Sequence, residues 1–129
     1  VQIDNASVDD ASLKAVGRDA VRLLCSGDIT ALASRFGYAI ALGREPAAAI
    51  QQDLAECLEQ TGASGLACEI ELDYEVKFFA PNDSNLFALV ECVIPVQDGS
   101  SGVLIEVIVT SKGIDKYATL EQISVASWD

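Results

Sequence analysis

The chain has 129 residues, half of them hydrophobic, with 8 basic and 20 acidic side chains, no histidine and a formal net charge of −12. That length suits a single domain spanning 1–129 with enough apolar material to bury a core. The charge argues against nucleic acid and against an anionic membrane surface as partners, since both need a cationic footprint, and no apolar run approaches the roughly 18 residues of a bilayer span.

Residues 1–6 read as a frayed tail, and Asn5-Ala6-Ser7 matches a glycosylation sequon. Ser7 with Asp10 resembles a capping box, opening a first helix whose Leu13, Val16, Ala20, Leu23 and Leu24 recur at helical spacing. Ser26-Gly27 ends it, and Asp28 restarts a short helix with Ile29, Leu32, Ala33 and Phe36 on one stripe. Gly37 stops that helix; "YAIAL", Tyr38 to Leu42, reads as a short strand. Gly43-Arg44-Glu45 is a turn, and Pro46 opens a third helix with Ile50, Leu54, Cys57 and Leu58 inward and Gln52, Asp53, Glu56, Glu59 and Gln60 outward.

Past "TGASG" the period changes to two. In "CEIELDYEVKFF", Ile70, Leu72, Tyr74, Val76 and Phe78 alternate with Glu69, Glu71, Asp73, Glu75 and Lys77, which predicts one long strand with a wet acidic face. "LFALVECVIPV" is apolar on both faces and reads as a central strand, with Pro95 limiting pairing near its end; "VLIEVIVT" is apolar on both faces except for Glu106, and "YATLEQISVASW" closes the chain as a last strand. Short turn clusters separate these strands, so consecutive strands should pair antiparallel. The fold class is therefore α+β: three N-terminal helices packed in a curved, mostly antiparallel sheet.

Four cysteines, at 25, 57, 68 and 92, lack metal-ligand spacing, and no metal or cofactor is implied. Cys57 and Cys68 flank one loop and form the pair to test for a bridge. A cytoplasmic placement is the first expectation, with a secreted or periplasmic one left open.

The ending "LLCSGDITALASRF", then "YAIAL", the "GREP" turn and the third helix, together with the order of elements from about Ser7 to Trp128, resemble the NTF2-like (cystatin-like) superfamily. The resemblance implies a cone, with a bent sheet wrapped around helices, and often a homodimer formed through the sheet. Members include isomerases, dehydratases, cyclases, ligand-binding proteins and interaction modules, so the fold does not choose a function. Isomerase-like members use an acidic base just past the short first strand, where this chain has Glu45, and a tyrosine early in the chain, which the first helix lacks. Dehydratase-like members use histidine, which is absent.

Pocket candidates are Tyr38, Arg44, Glu45, Tyr74 and Glu106. Glu45 also suits the acidic start of a helix, and Arg44 a bridge to a neighbouring carboxylate. Glu106 sits mid-strand; facing the cone it would be a base with a raised pKa, and facing outward a solvated residue on a dimer surface. Glu69, Glu71, Asp73 and Glu75 form an acidic row that would suit a basic partner. The expected function is a non-enzymatic binding or interaction domain, a homodimer that takes a small apolar ligand or a protein partner. Against it stand a small isomerase or cyclase with a carboxylate in the cone, and an acidic inhibitor or immunity-type protein that neutralises a basic partner.

Overall fold

Capping decides where the three helices lie in the computed structural model, which describes residues 1–4, 6, 8–97 and 101–126. Helix α1 runs over Asp10–Cys25, α2 over Ile29–Phe36 and α3 over Pro46–Thr61. Asp9, not Ser7, caps α1, its carboxylate accepting the Ser12 N–H at 2.8 Å; Ser7 and the Asn5 of the sequon lie outside the described residues. Asp28 caps α2 through the Ala31 N–H, and Glu45 caps α3 by accepting from Ala47 and Ala48. Gly62 ends α3 with φ near 70°, a left-handed conformation that costs glycine little.

Five strands follow or flank the helices: β1 Gln2–Ile3, β2 Tyr74–Phe78, β3 Leu86–Pro95, β4 Gly102–Lys112 and β5 Asp115–Ala126. They form one curled antiparallel sheet in the order β1-β5-β4-β3-β2. The supposed tail is thus partly ordered. Gln2 and Ile3 pair with Tyr117 and Lys116, and the Val1 ammonium donates to the Ala118 carbonyl at 2.7 Å. Trp128, expected in the last strand, lies outside the described residues.

Two expected strands change. Tyr38 to Leu42 folds as consecutive turns, because the backbone groups a ladder needs are taken elsewhere. Arg44 donates from Nε to the Ala41 carbonyl and from Nη2 to the Ile40 carbonyl, each at 2.8 Å, and Leu42 adopts a left-handed φ of 54°. The predicted strand from Cys68 to Phe79 pairs with β3 only from Tyr74 onward, in the register Tyr74↔Cys92 to Phe78↔Ala88.

All three helices pack on the inner face of the sheet: α1 across β2, β3 and β4, and α2 and α3 against β5. Leu13, Leu32 and Ile50 meet Val90, Ile94, Val103, Val107 and Leu120 in one apolar core. Burying side chains of this size contributes on the order of 2 kcal/mol each. Gly17 lets α1 approach closely, since a Cβ there would stand 2.6 Å from the Val90 Cγ1.

The bridge joins Cys25, the last residue of α1, to Cys68 in the loop before β2. Cys57 does not join Cys68: it lies on the inner face of α3, buried in the core, and like Cys92 it is free. Burial raises the pKa of both free thiols, Cys92 to about 11, so neither is an activated nucleophile.

Candidate functional site

The five pocket candidates fall into separate places. Tyr38 and Arg44 converge on Asp53 of α3, which the sequence pattern assigned to the solvent face. The Tyr38 hydroxyl donates to Asp53 Oδ2 at 2.5 Å, and Arg44 donates from Nη1 to Oδ1 at 2.9 Å and from Nη2 to Oδ2 at 3.3 Å. Arg44 Nη1 also reaches Gln52 Oε1 at 3.2 Å. Burial, and then the bond to Asp53, pushes the Tyr38 hydroxyl well above its ordinary pKa. The Arg44 guanidinium holds the Asp53 carboxyl below its usual range against the opposing effect of burial. Each donor has an acceptor here, so the trio locks the turn at 38–44 onto α3. A local signal for Asp53 existed: it is on the i, i+4 line between buried Ala49 and Cys57.

Glu45 stands apart, its carboxylate taken by the start of α3. Tyr74 is half-buried on β2, with the Arg18 guanidinium 5.2 Å from its ring centre. Burial raises its pKa to about 12.

Glu106 lies on the outer face of the sheet, away from the helices. Its neighbours Val103, Ile105, Val107 and Val109 take the buried positions of β4, while Leu104, Glu106, Ile108 and Thr110 are half-buried on the other side. Across the ladder Glu106 faces Glu91 of β3 and Gln122 of β5, and Glu121 sits at the adjoining bulge. Lys77 Nζ is 2.7 Å from Glu91 Oε1, a charge contact without hydrogen-bond alignment. Burial first, and then Glu91 and Glu121, raise the Glu106 pKa, with Lys77 opposing.

A raised carboxylate pKa costs stability where the group is ionised, and the cost fades as pH falls through the folded pKa. Replacing Glu106 with glutamine is therefore expected to stabilise the protein at pH 7 by a few tenths of a kcal/mol after solvent screening, and to change nothing at pH 3. Chemical denaturation at the two pH values reads this directly, and equal gains at both would contradict the assignment.

The acidic row is split. Glu75 is on β2, whereas Glu69, Glu71 and Asp73 lie in the loop that precedes it, and all four are exposed. Beside them, a groove of about 440 Å³ is floored by Leu72, Val93, Pro95 and Leu104 and rimmed by Glu71, Asp73, Glu75 and Glu91. Among the described residues, no polar or charged side chain is fully buried in the core, and no cluster of acidic, cysteine or histidine groups could hold a metal ion. Among the same residues, no helix is long and apolar enough to cross a membrane. Among the described residues, the arrangement presents carboxylates and half-buried aliphatic groups on the surface. No family model, curated protein or solved structure matches the chain.

Proposed function

We propose that this chain is a non-enzymatic interaction domain of NTF2-like type that pairs with a second copy of itself across the outer face of its sheet. The observation that carries this reading is the state of that face. Leu89 and Val93 of β3 and Leu104 and Ile108 of β4 are half-buried aliphatic side chains, and all three helices lie on the other side. Strands apolar on both faces call for a cover on each. The scatter of Tyr38, Glu45, Tyr74 and Glu106 speaks against an enzyme of isomerase or cyclase type, which would need them around one chamber.

Light scattering over a concentration series tests the pairing. The wild type is expected at twice its 13.6 kDa chain mass. Ile108→Lys should shift it to the monomer without loss of helix signal, because this position is outside the core. A wild type that stays monomeric at all concentrations overturns the reading.

A second reading, binding of a basic protein, draws on the −12 charge and the exposed Glu69, Glu71, Asp73 and Glu75. Its mark is capture that weakens steeply as salt rises. The Cys25–Cys68 bond supports an oxidising compartment over the cytoplasm.

A further inference from the structure

The loop before β2 carries a strand pattern that the sheet does not use. Leu66 forms an isolated bridge with Val96, and the ladder of β2 begins at Tyr74↔Cys92. Seven residues, 67–73, thus stand against three, 93–95, and the surplus leaves the sheet toward α1, where Cys68 is bonded to Cys25. Ile70, at the middle of this excursion, is 52% exposed, unusual for an isoleucine in a sequence that alternates so regularly.

Continuing the β2 register would place Asp73 opposite Val93, Leu72 opposite Ile94, Glu71 opposite Pro95 and Ile70 opposite Val96. The faces agree. Ile94 and Val96 are fully buried on the inner side, and Ile70 and Leu72 would join them there. The hydrogen bonds agree too. The Phe79 N–H donates to the Phe87 carbonyl, so odd-numbered residues of this segment turn their amides toward β3. Asp73 and Glu71 would donate to the carbonyls of Val93 and Pro95, the latter now held by the Ala67 N–H at 2.7 Å. Pro95 has no N–H to return to the Glu71 carbonyl, so this pair would form one of its two bonds and leave that carbonyl to solvent.

We propose that the Cys25–Cys68 disulfide is a thiol-operated latch that keeps residues 69–73 off the sheet, and that opening it lets them extend β2 along β3. A dithiol reductant supplies the two electrons and two protons: the Cys25–Cys68 S–S bond breaks, both cysteines become thiols, and the reductant's two thiols become a disulfide. Grooves of about 530 and 520 Å³ border the bond on either side, each lined by both Cys25 and Cys68, so a reductant has access. The extension would also align Glu69, Glu71, Asp73 and Glu75 on one outer face, a surface the closed form lacks. Repulsion along that row opposes the extension, and salt relieves it.

Amide hydrogen exchange on the full chain, oxidised and in dithiothreitol, tests the latch. Reduction is expected to slow exchange at Glu71 and Asp73 by about tenfold or more and to speed it at Ala67. The Cys25→Ser/Cys68→Ser variant should show the same pattern without reductant. Ile70→Lys, at a position exposed in the closed form, should leave the oxidised protein's unfolding midpoint unchanged and abolish the protection gained on reduction. Fast exchange at Glu71 and Asp73 in the reduced protein, protection that survives Ile70→Lys, or unfolding on reduction would each overturn the proposal.

Discussion

Removing the bridge with Cys25→Ser/Cys68→Ser is expected to cost about 3 to 4 kcal/mol of folding stability, read from urea unfolding in parallel with the wild type. The bond spans 43 positions of sequence. Closing a loop of that length in the unfolded chain is worth about 4 kcal/mol on the chain-entropy account, from which any gain of the reduced form elsewhere is subtracted. Against a typical total of roughly 5–15 kcal/mol this is large, yet it leaves the protein folded. Peptide mapping under non-reducing conditions should recover Cys25 linked to Cys68, with Cys57 and Cys92 alkylated only after unfolding because both are buried. A Cys57–Cys68 peptide, or variants as stable as the parent, would remove the bond from the account.

Asp53→Ala is expected to cost about 1 to 2 kcal/mol at pH 7, because it leaves the half-buried Tyr38 hydroxyl without its acceptor and removes one of the partners of Arg44. The Asp53 side chain is only 14% exposed, so solvent replaces little of what is lost. The sign of the pH dependence follows from its lowered pKa. A carboxyl depressed in the folded state contributes stability that is full above its ordinary value of 3.8 and is lost as pH falls through the folded value. The gap between wild type and variant should therefore be widest at neutral pH and shrink below about pH 4. Urea midpoints at pH 7, 5 and 3 measure it; a gap that stays constant over that range would show that Asp53 acts by packing alone. Because Arg44 also holds the Ile40 and Ala41 carbonyls, the loss should reach the whole turn at 38–44, seen as faster proteolysis there.

Among the described residues, the core built from Leu13, Leu32, Ile50 and the inward residues of β3, β4 and β5 holds no fully buried polar or charged side chain. Glu106, between the buried Ile105 and Val107, is set by strand alternation on the outer face, beside Glu91. Its raised pKa is then a property of a half-buried surface carrying several carboxylates.

How far the sequence reached can be judged element by element. Its caps and periods were sufficient for three helices with the inward faces expected, for the long strands β3, β4 and β5, and for the α+β class with helices first. These are local signals: a cap bonds within three residues, and a stripe or an alternation needs only the chain's own geometry. Tertiary structure alone decided that Cys68 meets Cys25 and not the nearer Cys57, that Gln2–Ile3 completes an edge of the sheet, and that Arg44 takes the carbonyls that would have made a strand of Tyr38 to Leu42. It also decided that Asp53, polar and assigned outward, is an acceptor for both Tyr38 and Arg44. Each of these joins groups that meet only after the helices have settled on the sheet, so its free energy depends on packing, which no window of neighbouring residues contains. The segment 69–73 marks the boundary between the two: its alternation specifies a strand, and a bond to the end of α1 keeps it from being one.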